Sequence, residues 1–176
     1  MRCPNRFILL LFAVLANIGC IALTAWAQSR QLECPQMGVI VNVPDGWKVG
    51  DPKDVHPSAV SENGAAKVVL LYFEKQWLFE VMNSAKVVAN FMPALHDARL
   101  DESEQAVINT LVGMKLSGTG TLHGKPVQFK SVLVGDRDNS TPNTLVVIVV
   151  ASEGAMKQQL KQIASALDSV RAKDAR

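Results

Sequence analysis

The sequence predicts an α+β domain, a mostly antiparallel twisted sheet flanked by helices in an α/β/α sandwich, and three observations carry that expectation. Two apolar runs of strand length, Ala66–Phe73 (AKVVLLYF) and Thr144–Ala151 (TLVVIVVA), lack the alternation of a half-exposed strand and need cover on both faces. A period-two stretch with Met114, Leu116, Val127, Phe129 and Leu133 is interrupted at His123-Gly124, where the chain can reverse into a long hairpin. The C-terminal segment carries Met156, Leu160, Ile163, Ala164, Leu167 and Val170 on one helical stripe, with Lys157, Gln158, Lys161 and Asp168 off it. Such a stripe needs a sheet to cover, and the buried runs need helices.

The chain opens with an export signal. Arg2 and Arg6 form a charged n-region, Phe7 to Ala16 is an uninterrupted apolar h-region, and Ala25-Trp26-Ala27 is the small-x-small pattern that signal peptidase cuts after. Cleavage there starts the mature chain at Gln28 and places it in the periplasm or outside the cell. Two alternatives stay open. Ile18-Gly19-Cys20 resembles the end of a lipobox, although Asn17 stands where such boxes carry Leu, and Phe7 to Ala27 is just long enough to remain as an uncleaved anchor. Membrane contact is expected only if Cys20 is lipidated or the signal is retained.

Removing 27 residues from 176 leaves 149, the size of one ordinary domain. The signal takes two of the 18 basic residues and none of the 16 acidic ones, so the mature chain carries 16 of each and a formal net charge of zero. That balance argues against nucleic acid, which needs a basic stripe, and against a polybasic membrane patch. With Cys3 and Cys20 in the signal, Cys34 is the single cysteine of the mature chain, so no internal disulfide is expected. It reads as an unpaired thiol, since nothing nearby would depress its pKa for catalysis.

Along the mature chain, residues 28–37 are polar and aperiodic and read as a flexible lead-in, with the single domain spanning residues 38–172. Val39, Val41 and Val43 alternate in a strand that stops at the turn Pro44-Asp45-Gly46, and Trp47 to Val49 returns as a short strand. Gly50 to Pro57 is a loop and Asn63-Gly64 a further turn before the first buried run. Ser84 then caps a helix carrying Val88, Phe91, Met92 and Leu95, which Pro93 kinks or ends. Asp101 and Glu104 have the spacing of a capping box for a second helix or turn with Val107, Ile108 and Leu111; whether residues 84–111 form one helix or two is open. Gly135 to Asn143 is a loop, and Ser152 caps the last helix.

No constellation points to catalysis, a resident metal or a cofactor. Gly118, Gly120 and Gly124 are one residue too widely spaced for a dinucleotide fingerprint and lie in the hairpin, where glycines bend strands. His96, Asp97, Asp101, Glu102 and Glu104 form the densest set of potential ligands; they read as a solvated linker whose acids cap the next helix, with a weak Ca²⁺ site as the alternative. His56 and His123 fall in separate turns. Trp47 is expected to pack under the first turn. Trp77 and Phe79, in the apolar triplet Trp77-Leu78-Phe79, read either as core or as an exposed aromatic anchor for a partner protein, and they are the candidate binding residues.

Three segments resemble one known superfamily. Val43-Pro44-Asp45-Gly46-Trp47 is similar to its early P-x-G-W turn, Gly124-Lys125-Pro126-Val127 to its hairpin, and Ala166-Leu167-Asp168-Ser169-Val170 to the end of its final helix. The superfamily is the PsbP/Mog-like α/β/α sandwich, which includes PsbP proteins, Ran-binding Mog proteins and DcrB-like bacterial envelope proteins, and the resemblance runs from Gly38 to Arg171. It implies a non-catalytic protein, because members serve as accessory subunits, protein binders or chaperones of secreted effectors, with no shared catalytic residues to carry over. The resulting expectation is an exported bacterial envelope protein, not an enzyme, that binds another envelope or exported protein. An immunity protein or effector chaperone, and a carrier of a small apolar ligand, are the alternatives.

Overall fold

A computed structural model of the chain describes residues 30–51, 53–75, 94–135 and 142–173. The described residues form two antiparallel sheets. The larger has seven strands in the order β3 (Lys48–Val49), β4 (Ser58–Val60), β5 (Ala66–Phe73), β9 (Thr144–Ala151), β8 (Lys125–Gly135), β7 (Leu111–Leu122) and β6 (Leu95–Ile108). The smaller has β1 (Gln31–Cys34), β2 (Val39–Asn42) and β10 (Arg171–Ala172), with β2 in the middle.

The two apolar runs lie side by side at the centre of the large sheet, paired from Ala66↔Ala151 to Phe73↔Thr144. Every residue of β9 is buried, because β5 and β8 flank it and both of its faces meet side chains. Alternation along the strands divides the apolar side chains into two clusters. On one face Val68, Leu70, Val132, Val134, Leu145, Val147 and Val149 meet the helices, the small sheet and Trp47. On the other, Val69, Leu71, Leu95, Met114, Leu116, Phe129, Leu133, Val146, Ile148 and Val150 form a second core. The buried apolar residues, 35 of them among the described residues, supply the burial that holds the sheets and helices together.

The hairpin at His123-Gly124 forms as expected, both residues at positive φ (50° and 74°), which suits the primed two-residue turn between twisted strands. Gly118 and Gly120 have a packing role there. A Cβ on Gly118 would sit 2.5 Å from Phe129 Cζ, and one on Gly120 2.8 Å from a Leu95 methyl. Both glycines lie opposite the part of β6 where the register shifts, as a bent hairpin requires. Ser152 caps the C-terminal helix, its Oγ accepting from the Ala155 N–H at 3.3 Å. The helix breaks at Gln159 into α1 (Glu153–Gln158) and α2 (Leu160–Asp168). Its buried face is Ala155, Met156, Ile163, Ala166, Leu167 and Val170, rotated away from Leu160 and Ala164, which are exposed.

Three expectations are corrected. The lead-in is not loose: β1 pairs with β2 from Gln31↔Asn42 to Cys34↔Val39, burying Leu32 and Cys34 while Gln31 stays exposed. Alternation over four residues was too short to stand out against its polar neighbours. The second helix over residues 101–111 is absent. Asp101 and Glu104 belong to β6, and the chain reverses at Asn109-Thr110 (φ 45° and 77°) into β7. Their capping-box spacing was coincidental, for the middle of β6, from Asp101 to Gln105, is exposed and charged or polar throughout, and its apolar residues lie only towards the ends. The short strand after Trp47 pairs with β4, not with β2. Of the helix expected from Ser84, Leu95 instead opens β6, and Ser84, Val88, Phe91, Met92 and Pro93 lie outside the described residues.

Candidate functional site

The outer strands β6 and β7, with β8 beside them, carry a charged ledge next to α2. Register sets its rows: Glu104 faces Lys115, which faces Val132, and Glu102 faces Ser117, which faces Lys130. Ala164, Leu167 and Asp168 of α2 form the wall beside this floor, enclosing a cavity of about 250 Å³. Lys115 Nζ donates to Asp168 Oδ1 at 2.8 Å, and Ser117 Oγ donates to Glu102 Oε2 at 3.1 Å. The lysine–aspartate pair is about half exposed (45% and 60%), so solvent screens it and it contributes under about 1 kcal/mol. Glu102, Glu104, Lys115, Lys130 and Asp168 line the cavity together with Leu116, Val132, Ala164 and Leu167, so it offers charged groups beside apolar surface. No histidine or cysteine lines it, and the hydrogen-bond partner of the Ser117 hydroxyl there is the Glu102 carboxylate.

Besides the Lys115–Asp168 pair, Asn109 ties this ledge to the helix. The Asn109 side-chain amide donates to the carbonyls of Asp168 (2.7 Å) and Val170 (3.0 Å) at the end of α2. A helix leaves its last carbonyls unbonded, and here a hairpin turn supplies the donor. Asparagine serves both purposes, because it tolerates the left-handed backbone of the turn and carries the amide. The signal in the sequence was faint, since Asn109-Thr110 lacks the glycine of the usual turn pair.

The sequence-derived candidates do not come together. His96, Asp97, Asp101, Glu102 and Glu104 are strung along β6, with Asp97 and Asp101 at its register shifts and Glu102 and Glu104 one strand repeat apart on the helix side. They do not cap a helix. Among the described residues, no group of three or more His, Cys, Asp or Glu side chains could hold a metal ion. His123 occupies the β7–β8 turn and His56 the loop before β4. Trp47 is buried in the first core, under the turn closed by its N–H to the Pro44 carbonyl at 3.2 Å. Trp77 and Phe79 lie outside the described residues. Cys34 is free and buried, and burial pushes its thiol above 9.0; the charge of Glu33 adds to this, and the Met37 and Gln36 N–H groups oppose it.

This arrangement, a twisted antiparallel sheet with a C-terminal helix packed on it, is the PsbP/Mog-like α+β fold. The cyanobacterial PsbP (CyanoP) of Synechocystis sp. PCC 6803 matches it with a TM-score of 0.60 at 11% identity, over 81% of this chain and 91% of that one. The Saccharomyces cerevisiae Ran-binding protein Mog1p matches with a TM-score of 0.54 at 9% identity, over 82% of this chain and 95% of the other. No protein-family model matches the sequence, and no curated protein does. Among the described residues no helix is long and apolar enough to cross a membrane.

Proposed function

We propose that the protein is an exported, non-enzymatic accessory module that works by binding another envelope or exported protein. The observation that carries this reading is the fold it shares with Mog1p, a Ran-binding protein matched over nearly its whole length. A fold does not fix a function, so the ledge is what the reading rests on next: a charged surface, tied by Asn109 and Lys115 to the end of α2, that offers hydrogen-bonding groups to a partner. Export rests on Arg2, Arg6, the Phe7 to Ala16 run and Ala25-Trp26-Ala27, with release after Ala27 and lipidation at Cys20 as the alternative. Trp77 and Phe79 remain the proposed aromatic contacts.

Crosslinking and affinity capture of the tagged mature protein from the envelope of its host tests the binding role. A stoichiometric protein partner is expected; a clean preparation without one overturns it. N-terminal sequencing of the exported form should read from Gln28. A mass increase on Cys20 would instead select the lipoprotein.

A further inference from the structure

β6 ends the seven-stranded sheet, and its bonding pattern fixes which backbone groups face outward. The two-residue turn at Asn109-Thr110 makes Ile108 and Leu111 a hydrogen-bonded pair, and such pairs alternate along an antiparallel ladder. From Glu102 to Ile108 the register does not shift. Residues Glu102, Glu104, Ala106 and Ile108 therefore bond to β7, and Ser103, Gln105 and Val107 turn their N–H and C=O groups away from it. Among the described residues no other backbone pairs with these three. Their side chains share the face away from α2, where Val107 is 75% exposed. Glu102 and Glu104 lie on the helix side, and neither belongs to any of the three ion pairs among the described residues.

The edge thus offers a row of unused donors and acceptors, two carboxylates on one side and an exposed valine on the other. We propose that it takes up an extended, lysine-bearing segment of a partner protein as an added antiparallel strand, with basic side chains opposite Glu102 and Glu104 and an apolar one opposite Val107. Strand addition uses the backbone for affinity and alternate side chains for specificity, and both are set here by the register. A cationic segment is the occupant that the charge selects. A second copy of this chain would bring the same carboxylates to the edge, where like charges across a strand pair repel. The inference rests on the protein-binding reading above and gives the partner's chemistry.

The test uses the synthetic peptide Val-Thr-Thr-Lys-Thr-Lys, whose order places its valine beside Val107 and its lysines beside Glu104 and Glu102. Hydrogen exchange should slow at the amides of Ser103, Gln105 and Val107. N-methylation of the peptide residues opposite Gln105 and Ser103 should abolish that protection, and the E102K/E104K variant should bind the lysine peptide about tenfold more weakly while accepting its glutamate counterpart. Unchanged exchange at the three amides, or binding that survives N-methylation, overturns the edge. Gln105→Pro removes an outward donor without touching the β6–β7 ladder, so it should fold and lose the peptide. An envelope partner captured equally by wild type and Gln105→Pro overturns the edge and leaves the binding reading standing. If wild type captures no partner, the binding reading falls while the peptide data still decide the edge.

Discussion

β9 and β6 belong to the same sheet and obey opposite rules. β9 is covered on both faces and paired on both sides, and all eight of its residues are buried. β6 is longer, with 14 residues, yet among the described residues it pairs on one side only, and it buries just Leu95 and Ile108, one at each end. The difference teaches where sequence pattern comes from. A strand is written in apolar residues only as far as the fold encloses it, and an edge strand is specified by its neighbour's turn and register instead.

The contrast predicts a steep gradient of mutational cost across the sheet. Phe129 on β8 is 1% exposed and lies over Gly118, so Phe129→Ala should destabilise by about 3–5 kcal/mol in urea unfolding. A loss under about 1 kcal/mol would show that the inner strands are not what holds the sheet. Next comes the link between the two regions. Asn109→Ala removes both hydrogen bonds to the end of α2 and puts a Cβ-bearing residue without a local polar group at φ 45°, for an expected loss of about 2 kcal/mol. Asn109→Gly keeps the turn and loses only the amide, so it should cost less, and equal costs would assign the whole effect to the bonds.

Cys34 sharpens the comparison from the small sheet. Its folded pKa is raised, so the thiol stays neutral in the native state while the unfolded chain ionises from about 9.0 upward. The unfolded state then binds fewer protons, and stability falls as pH rises above that value. Thermal melts of wild type should drop more steeply above pH 9.0 than those of Cys34→Val, and a thiol reagent at neutral pH should modify Cys34 only on unfolding. At the bottom of the gradient, Val107→Thr on exposed β6 should change stability by less than about 0.5 kcal/mol. A larger loss would mean that the edge is packed against something.

The legible part of the fold is the part with unambiguous burial. The runs at Ala66–Phe73 and Thr144–Ala151, the reversal at His123-Gly124 and the Ser152 cap could be read directly, because each has one physical explanation. Asp101 and Glu104 had two, and a capping box looks the same on paper as two acids on an exposed strand. β4 is only three residues long, and β1 alternates through Leu32 and Cys34 alone, so neither exceeds the noise of a polar segment. The ledge was not legible at all. Glu104, Lys115 and Asp168 meet only through a register and a helix end that no local pattern encodes.

The place of β9 and β10 in the pairing order has a kinetic consequence. β5 ends at Phe73 but gains its inner neighbour only when residues 144–151 exist, and β2 is flanked on its second side only by Arg171–Ala172. A chain made from its N-terminus therefore holds β2 and β5 half-paired until it is almost finished. Completion waits on contacts of long sequence separation, which close slowly and leave apolar strand edges open meanwhile. Refolding should be slower than in a helical domain of equal length, and loss of residues after Val170 should deprive the small sheet of its last strand.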